Sequence, residues 1–501
     1  MERHFDIDID DQAREALRGI AHVLAARSAA GYLSGGSVRD ALLGRARGDI
    51  DIAVAGDAME LGRDIARELG GRYVPLDPAN GVARVVLFRE RPLHVDLTSL
   101  RGDIWADLGL RDFTVNAMAV ALSDIGAPVG GLIDPFGGRR DLEAGVVRAV
   151  SEEAFPRDGL RLFRAVRLVA ELGFALDGET REMVVRHHRL IASVAAERVN
   201  DELCRILAAP GAVPALRLLD EVGLLIDIIP ELSAARGAEQ PREHWWDVLE
   251  HSVETVAAVA FLLGAAGSPH WGEEVRALVT WPGVPDGYFQ REVAAGHARS
   301  TVVKLAALLH DVAKPQTRCT DERGRMRFYG HAKEGALIAD VVMERLRFSA
   351  RERGLVVTMV GHHLHPRQMG DIPSRRAIYR YFRDVGDAAI DTLLLNLADH
   401  LATRGPALDL EEWQRHVDSV AYILEQHLGG EDVVVPAKLI SGHDIIERFG
   451  LSPGPQVGQL LEAVREAWAA GEVSSREEAL ALVQSMLRGN PVPLPQAASA
   501  E

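Results

Sequence analysis

Two aspartates one residue apart, Asp49 and Asp51 in DIDIAV, form the densest chemistry near the start of the chain. On a strand, residues i and i+2 project from one face, so these carboxylates would stand side by side and repel. A divalent cation turns that repulsion into binding. A lone DxD is more often a solvated strand edge. Here, however, Gly35-Gly36 lies upstream and opens a helix carrying Arg39, within GGSVRD. Such a turn lets backbone N–H groups approach phosphate oxygens, and Arg39 adds positive potential. The combination reads as a metal and nucleotide site.

A second concentration of ligating residues lies between 251 and 400. His310-Asp311 ends an apolar helix in LAALLHDVAKP, with His251 upstream and Asp399 downstream. The ordered set resembles the HD phosphohydrolase pattern. His331 in YGHAKEGA and His362-His363 in GHHLHP are candidates for further ligands. Imidazole suits Fe, Ni, Co, Mn or Zn, and carboxylates balance the charge. The extra histidines permit two metals without requiring them. The alternative is an HD domain kept as scaffold.

The elements that must hold these residues change character along the chain. Periodicity predicts helices at 12–29, 37–43 and 57–69, with strands at 32–34, 49–54, 83–88, 93–98 and 115–121. From 151 onward helical periods dominate, at 157–173, 180–193, 195–208 and 212–225. The pattern predicts an α+β head over 1–150, a helical neck over 151–235, a metal-binding domain over 236–405 and a helical region over 406–487. Residues 265–299 are rich in Gly and Pro and read as an insertion. The last residues, 488–501, read as a disordered tail.

Composition bounds the reading. The chain has 501 residues, too many for one core. Its 47% hydrophobic and 26% charged content is that of a globular protein. Cys204 and Cys319 fit neither a CxxC pair nor a disulfide framework, which predicts a reducing, cytoplasmic setting. No apolar run approaches the ~20 residues of a membrane span. A formal net charge of −17 argues against a generally basic nucleic-acid binder, so an RNA partner needs a local basic surface.

Taken together, GGSVRD (35–40), DIDIAV (49–54), the run Leu110 to Ala119 (LRDFTVNAMA) and DPFGGRRDLEAGVVRAV (134–150) resemble the bacterial-type (class II) tRNA nucleotidyltransferase and poly(A) polymerase family. The resemblance implies a polymerase-beta-like head, neck, HD domain and helical C-terminal region, with tRNA, CTP and ATP as partners. It implies that Asp49 and Asp51 hold Mg²⁺, that Gly36 and Arg39 meet the triphosphate, and that Arg111 contacts the nucleotide. In-line displacement by the RNA 3′ hydroxyl would then release pyrophosphate. Asp96, in HVDLTS, stays unassigned between third carboxylate and structural residue. The alternatives are a poly(A) polymerase, or an HD phosphohydrolase whose head only binds RNA.

The same resemblance makes RDGLRLFRAVR (157–167) the nucleotide-selecting helix. Asp158, Arg161, Arg164 and Arg167 recur at steps of three, each step drifting about −60° around a helix. An ionised Asp only accepts hydrogen bonds and Arg only donates. Asp158 matches the amino group of cytosine or adenine, and Arg161 matches cytosine N3 and O2 or adenine N1. Uracil and guanine present the opposite order, which leaves charged partners unpaired. Arg157 stands where the family usually has Glu, which puts the entry contacts of the helix in question.

Family members that complete CCA carry a flexible stretch before the motif that contains Arg111. Here only Gly102–Leu110 intervenes, nine residues that extend at most about 30–32 Å, and IWADLGL reads as helix or packed turn. Shortened members stop at CC, so CC addition stands beside full CCA synthesis.

Overall fold

The computed structural model describes residues 11–45, 49–88, 92–125, 131–265, 268–428 and 439–488. The expected tail at 488–501 lies, beyond Arg488, outside the described residues. The chain divides into two compact units, one up to Ile228 and one from Ile229 onward.

The first unit opens on α1 (Asp11–Ala26), whose Ala13, Ala16, Leu17, Ile20, Val23 and Leu24 are buried at helical spacing. Then follow β1 (Gly31–Ser34), α2 (Gly36–Leu42), β2 (Ile50–Val54), α3 (Ala58–Glu68), β3 (Arg72–Asp77), β4 (Val82–Leu87), β5 (Leu93–Ser99), α4 (Ile104–Leu108), β6 (Ala119–Ala121) and β7 (Leu132–Ile133). The seven strands make one sheet in the order β3-β4-β5-β2-β1-β6-β7. All pairs are antiparallel except β2 with β5, which α3 and the β3–β4 hairpin make possible by returning the chain in the same direction.

Sequence periodicity missed β3. It is an edge strand with a mixed exposed pattern and Pro75 within it, features that hide a strand from alternation. The expected strand at 115–121 is only Ala119–Ala121, preceded by a 3₁₀ turn over Thr114–Asn116.

Helices then take over: α5 (Gly138–Ala144), α6 (Ala154–Arg157), α7 (Arg161–Leu172), α8 (Gly178–His187), α9 (Ala196–Ala208), α10 (Ala212–Glu221) and α11 (Leu224–Ile228). The single helix expected at 157–173 is broken, with Asp158 extended at φ −153°, ψ 104°. Gly159 sits at the break because a Cβ there would lie 2.8 Å from the Leu190 carbonyl oxygen. The helix expected at 212–225 is likewise split, by Gly223 at φ +86°.

The second unit holds α12 (Val248–Leu262), α13 (Glu273–Ala277), α14 (Arg299–Leu309), α15 (Lys314–Thr317), α16 (His331–Arg345), α17 (Ala350–His362), α18 (His365–Gln368), α19 (Arg375–Val385), α20 (Ala389–Arg404) and α21 (Leu410–Leu428). Helices α12, α14, α17 and α20 pack on one another, and α16 packs on α17. Helices α12, α14 and α20 are buried over most of their circumference, as central helices must be. The segment read as an insertion is packed, with Trp271, Val275, Tyr288 and Phe289 buried. Beyond it, α22 (Gly442–Phe449), α23 (Pro455–Ala469) and α24 (Arg476–Leu487) close around Ile445, Val457, Leu460, Val464 and Val483. None of the described helices is long and apolar enough to cross a membrane.

Candidate functional sites in the head and the helical unit

At the end of β1 the chain turns through Gly35, whose φ of +67° is a conformation glycine adopts without strain. A Cβ at that position would lie 3.2 Å from an Arg111 nitrogen. Ser37 then ties the turn to the aspartate strand. Its Oγ accepts from the Asp51 backbone N–H at 2.8 Å and donates to the Asp49 carbonyl at 3.3 Å. The glycine turn and the DxD pair are thereby held as one structure.

They open onto a cleft of about 380 Å³ lined by Gly35, Gly36, Arg39, Asp51, Arg111, Asp112, Asn116, Arg161, Arg164 and Arg167. That volume is in the range of small-molecule sites. Five arginines face two aspartates, an excess of positive charge that suits a polyanion. It also supplies the local basic surface that an acidic chain needs to bind a nucleotide.

Each arginine is held. Arg39 donates to Asn116 Oδ1 at 2.7 Å and to Asp40 at 2.8 Å. Arg111 donates to Asp107 at 3.0 Å and to Ser34 Oγ at 3.2 Å. Arg164 lies 2.7 Å from buried Asp112. Arg167 donates to Glu202 at 2.6 Å and to both oxygens of Glu171. Burial alone would raise the Asp112 carboxyl, but Arg164, Asn116 and the Phe113 N–H outweigh it and hold it below its ordinary range.

The carboxylates form a tight neighbourhood. Asp51 is pushed up to about 6, first by burial and then by the charge of Asp96, with Asp49 adding to it. Oxygen ligands crowded in this way fit a hard divalent cation. Asp49 is exposed and lies outside the cleft lining, with Arg84 2.5 Å from Oδ2 and His94 3.4 Å from Oδ1.

Of the four polar residues expected along the nucleotide-selecting helix, Arg161, Arg164 and Arg167 line the cleft. Asp158 does not. At the break before α7, its carboxylate takes two hydrogen bonds from Arg198, at 2.8 and 3.2 Å. Asp112 and Asn116 were visible in the motif around Arg111 but carried no assigned role. Arg84, Arg198 and Glu202 carried no local signal at all.

In the second unit six side chains converge. His251 comes from α12, His310 and Asp311 follow α14, His331 starts α16, His363 follows α17 and Asp399 sits on α20. They fall into two triads, His251/His310/Asp399 and Asp311/His331/His363, each with ligand atoms within 4.8 Å of one another. Asp311 faces both sets. Its Oδ2 lies 3.1 Å from His310 Nε2 and 3.3 Å from His251 Nε2. Its Oδ1 lies 3.5 Å from His331 Nε2 and 3.8 Å from His363 Nε2.

The ring nitrogens are arranged for ligation. His310, His331 and His363 each direct Nδ1 to the carbonyl three residues earlier, at 2.8, 2.7 and 2.7 Å. A carbonyl only accepts, so Nδ1 carries a proton, and in the neutral ring it is Nε2 that presents its lone pair inward. Two such Nε2 atoms stand 3.4 Å apart on His331 and His363, and another pair 3.2 Å apart on His251 and His310. Converging imidazole nitrogens beside buried Asp311 and half-buried Asp399 fit a divalent transition metal. Without one, burial disfavours a charged His310, but Asp311 and Asp399 outweigh it and push the ring up to about 10. Lys314, 2.6 Å from Asp311 Oδ2, adds a second cation.

His362 corrects an expectation. Neighbouring helical residues point about 100° apart, so only one of His362 and His363 can face the centre. His363 does, whereas the His362 ring stacks on His365.

Comparison with known proteins agrees with this layout. The family described as the poly A polymerase head domain matches residues 31–148. The probable RNA and SrmB-binding site of polymerase A matches 173–236, and the HD domain matches 248–404. The CC-adding tRNA nucleotidyltransferase of Thermus thermophilus is 38% identical over 456 residues, covering 90% of this chain and 92% of its own. The A-adding tRNA nucleotidyltransferase of Deinococcus radiodurans is 33% identical over 472 residues, covering 92% and 96%. Among solved structures, the Thermotoga maritima CCA-adding enzyme complexed with tRNA shares the fold, with a TM-score of 0.60, 21% identity and coverage of 97% and 100%. The chain belongs to the bacterial-type tRNA nucleotidyltransferase and poly(A) polymerase family, with an HD domain appended.

Proposed function

We propose that this protein transfers nucleotides to the 3′ end of tRNA, using CTP, and stops after CC. The α-phosphorus of CTP accepts the 3′ oxygen of the RNA, the bond to pyrophosphate breaks, and the hydroxyl proton is released. The observation that carries the reading is the arginine-lined cleft joined through Ser37 to the Asp49/Asp51 pair.

In this reading Asp49 and Asp51 hold Mg²⁺, which when bound lowers the charge barrier between the hydroxyl and the triphosphate. Gly36, Arg39 and Arg111 bind and orient the triphosphate. Asp158 and Arg161 read the base edge, and Arg164 and Arg167 complete the wall. A tRNA substrate and two cysteines that are not joined in a disulfide, Cys204 and Cys319, fit a cytoplasmic setting.

The stop at CC is supported by α4. Residues 104–108 are helical, Asp103 caps that helix, and Asp107 is salt-bridged to Arg111. A segment fixed in this way is not itself free to reshape the pocket for ATP. Relatives named as CC-adding, from Thermus thermophilus, Geobacter sulfurreducens and a Synechocystis, support this reading, while the relative from Deinococcus radiodurans is named as A-adding. The test is a product ladder on tRNAs lacking one, two or three nucleotides, with CTP and ATP both present. Products halting at CC are expected. Efficient addition of the final A to a tRNA ending in CC would overturn the stop, and long homopolymeric tails would favour a poly(A) polymerase.

The HD cluster, with a transition metal, is proposed as a second phosphoester-hydrolysing centre acting on cyclic or terminal phosphates. Its donor set supports this. Hydrolysis that depends on Ni²⁺, Mn²⁺, Co²⁺ or Fe²⁺ and survives Asp49→Ala is the expected result. Its absence from the wild type leaves the domain a scaffold.

A further inference from the structure

Arg84 of β4, Asp96 of β5 and Asp51 of β2 stand in one row across the sheet. Arg84 is in register with Asp96, and Asp96 with Asp51. Directly opposed residues on paired strands share a face, so one guanidinium and two carboxylates are brought together by strand order alone. Asp49, two residues before Asp51, adds a third carboxylate.

Arg84 spans two of the three. Its Nε donates to Asp96 Oδ1 at 2.7 Å and its Nη2 to Asp96 Oδ2 at 2.8 Å. The same Nη2 donates to Asp49 Oδ2 at 2.5 Å. The Arg84 and Asp49 side chains are 26% and 43% exposed, so the contact between them is open to solvent and to ions. Arg111 and Arg39 also act on Asp51, but their hydrogen bonds go to Asp107, Ser34, Asn116 and Asp40.

Resting on the reading of the head as a metal-dependent nucleotidyltransferase, we propose that Arg84 is a displaceable counter-cation that competes with the divalent metal for Asp49. A guanidinium keeps its proton in proteins, so the metal gains Asp49 Oδ2 in full only when its contact with Nη2 is broken. The bidentate grip on Asp96 makes that exchange local. The Asp49 carboxylate turns off Nη2 while Nε and Nη2 stay on Asp96, and the arginine remains beside the site. Arg84 is thus a positioning residue that sets how much metal the head requires. In the metal-free protein it also keeps the Asp49 carboxylate from swinging away.

The test is direct metal binding by the full chain, with Mn²⁺ as the probe, followed by calorimetry and by the loss of its free-ion paramagnetic resonance signal. Binding at the head is the part present in the wild type and absent from Asp49→Asn, which separates it from the HD cluster. Arg84→Gln and Arg84→Met should bind Mn²⁺ there about tenfold more tightly, by removal of one competing charge at a partly solvated site. Arg84→Lys, which keeps the charge, should stay near wild type. A residue that only held Asp49 in place would give the opposite sign. Equal or weaker binding in both neutral variants therefore overturns the proposal while leaving the metal site intact. No Asp49-dependent binding in any of these proteins would overturn the metal reading of the head, and this inference with it.

Discussion

Arg161 donates a hydrogen bond to the Leu110 carbonyl oxygen at 2.9 Å, which ties the start of α7 to the backbone leading into Arg111 and Asp112. Longer bonds to the Arg111 and Ala154 carbonyls, both at 3.4 Å, complete the hold. This arginine therefore fixes one wall of the cleft relative to another, in addition to facing the cavity itself. Arg161→Ala should lower kcat/KM for CTP by about 100-fold, the scale expected when reacting groups lose their alignment. Single-turnover incorporation kinetics measure it, and a variant within threefold of wild type would show that the bonds are incidental.

Asp158 is engaged by Arg198, and a base-reading role requires that it leave this partner. The pair is solvent-accessible, so Arg198→Ala should cost less than about 1 kcal/mol of stability and preserve the preference for CTP over UTP. Asp158→Asn should erode that preference by about 1.5–3 kcal/mol, the scale of a charged hydrogen bond. Competition between CTP and UTP decides the matter. Unchanged selectivity in Asp158→Asn would remove this residue from base recognition.

The Asp51 carboxyl titrates near 6 rather than at its ordinary 3.8, because burial and the nearby Asp96 and Asp49 disfavour its charge. Between these values the folded protein holds a proton that the unfolded chain has lost, so this group favours folding more as pH falls through the window. Metal binding needs the carboxylate and should run the other way. Mn²⁺ binding at the head is expected to weaken below about pH 6 with proton release, and Asp96→Asn should move the midpoint down. A flat binding profile between pH 5 and 7, on the order of these values, would contradict the assignment.

Unit two should gain stability from metal. Ni²⁺ or Mn²⁺ at about 100 times its Kd should add about 2.7 kcal/mol, read as a rise in Tm over the chelator-treated protein. His251→Ala and Asp311→Ala should each lose most of that rise, and His331→Ala should reduce the bound stoichiometry. Identical melting with metal and with chelator would show that the cluster is not a metal centre.

The sequence made the sites visible wherever chemistry was packed into a few neighbouring residues. Gly35, Gly36, Arg39, Asp49 and Asp51 carry their meaning in spacing, and the structure ties them together through Ser37. The break before α7 was hidden because it depends on the approach of Leu190 to Gly159, thirty-one positions away. Arg84 was hidden for a similar reason. Nothing near residue 84 announces Asp49, and only the strand order β4-β5-β2 brings them within reach. For His362 and His363 the local sequence is symmetric, and the choice is made by helix phase and by the bond from His363 Nδ1 to Val360.

That bond recurs at His310 and His331, always to the carbonyl three residues back. Each imidazole is thus oriented by its own helix end or turn before any ion arrives. If the cluster captures a metal, these three rings lose almost no side-chain freedom in doing so. Selection among metals shifts accordingly from ligand rearrangement to tolerance. An ion whose preferred geometry these fixed nitrogens already offer would then be retained, and one that must bend them to its own would exchange out, even where its intrinsic affinity for imidazole is greater.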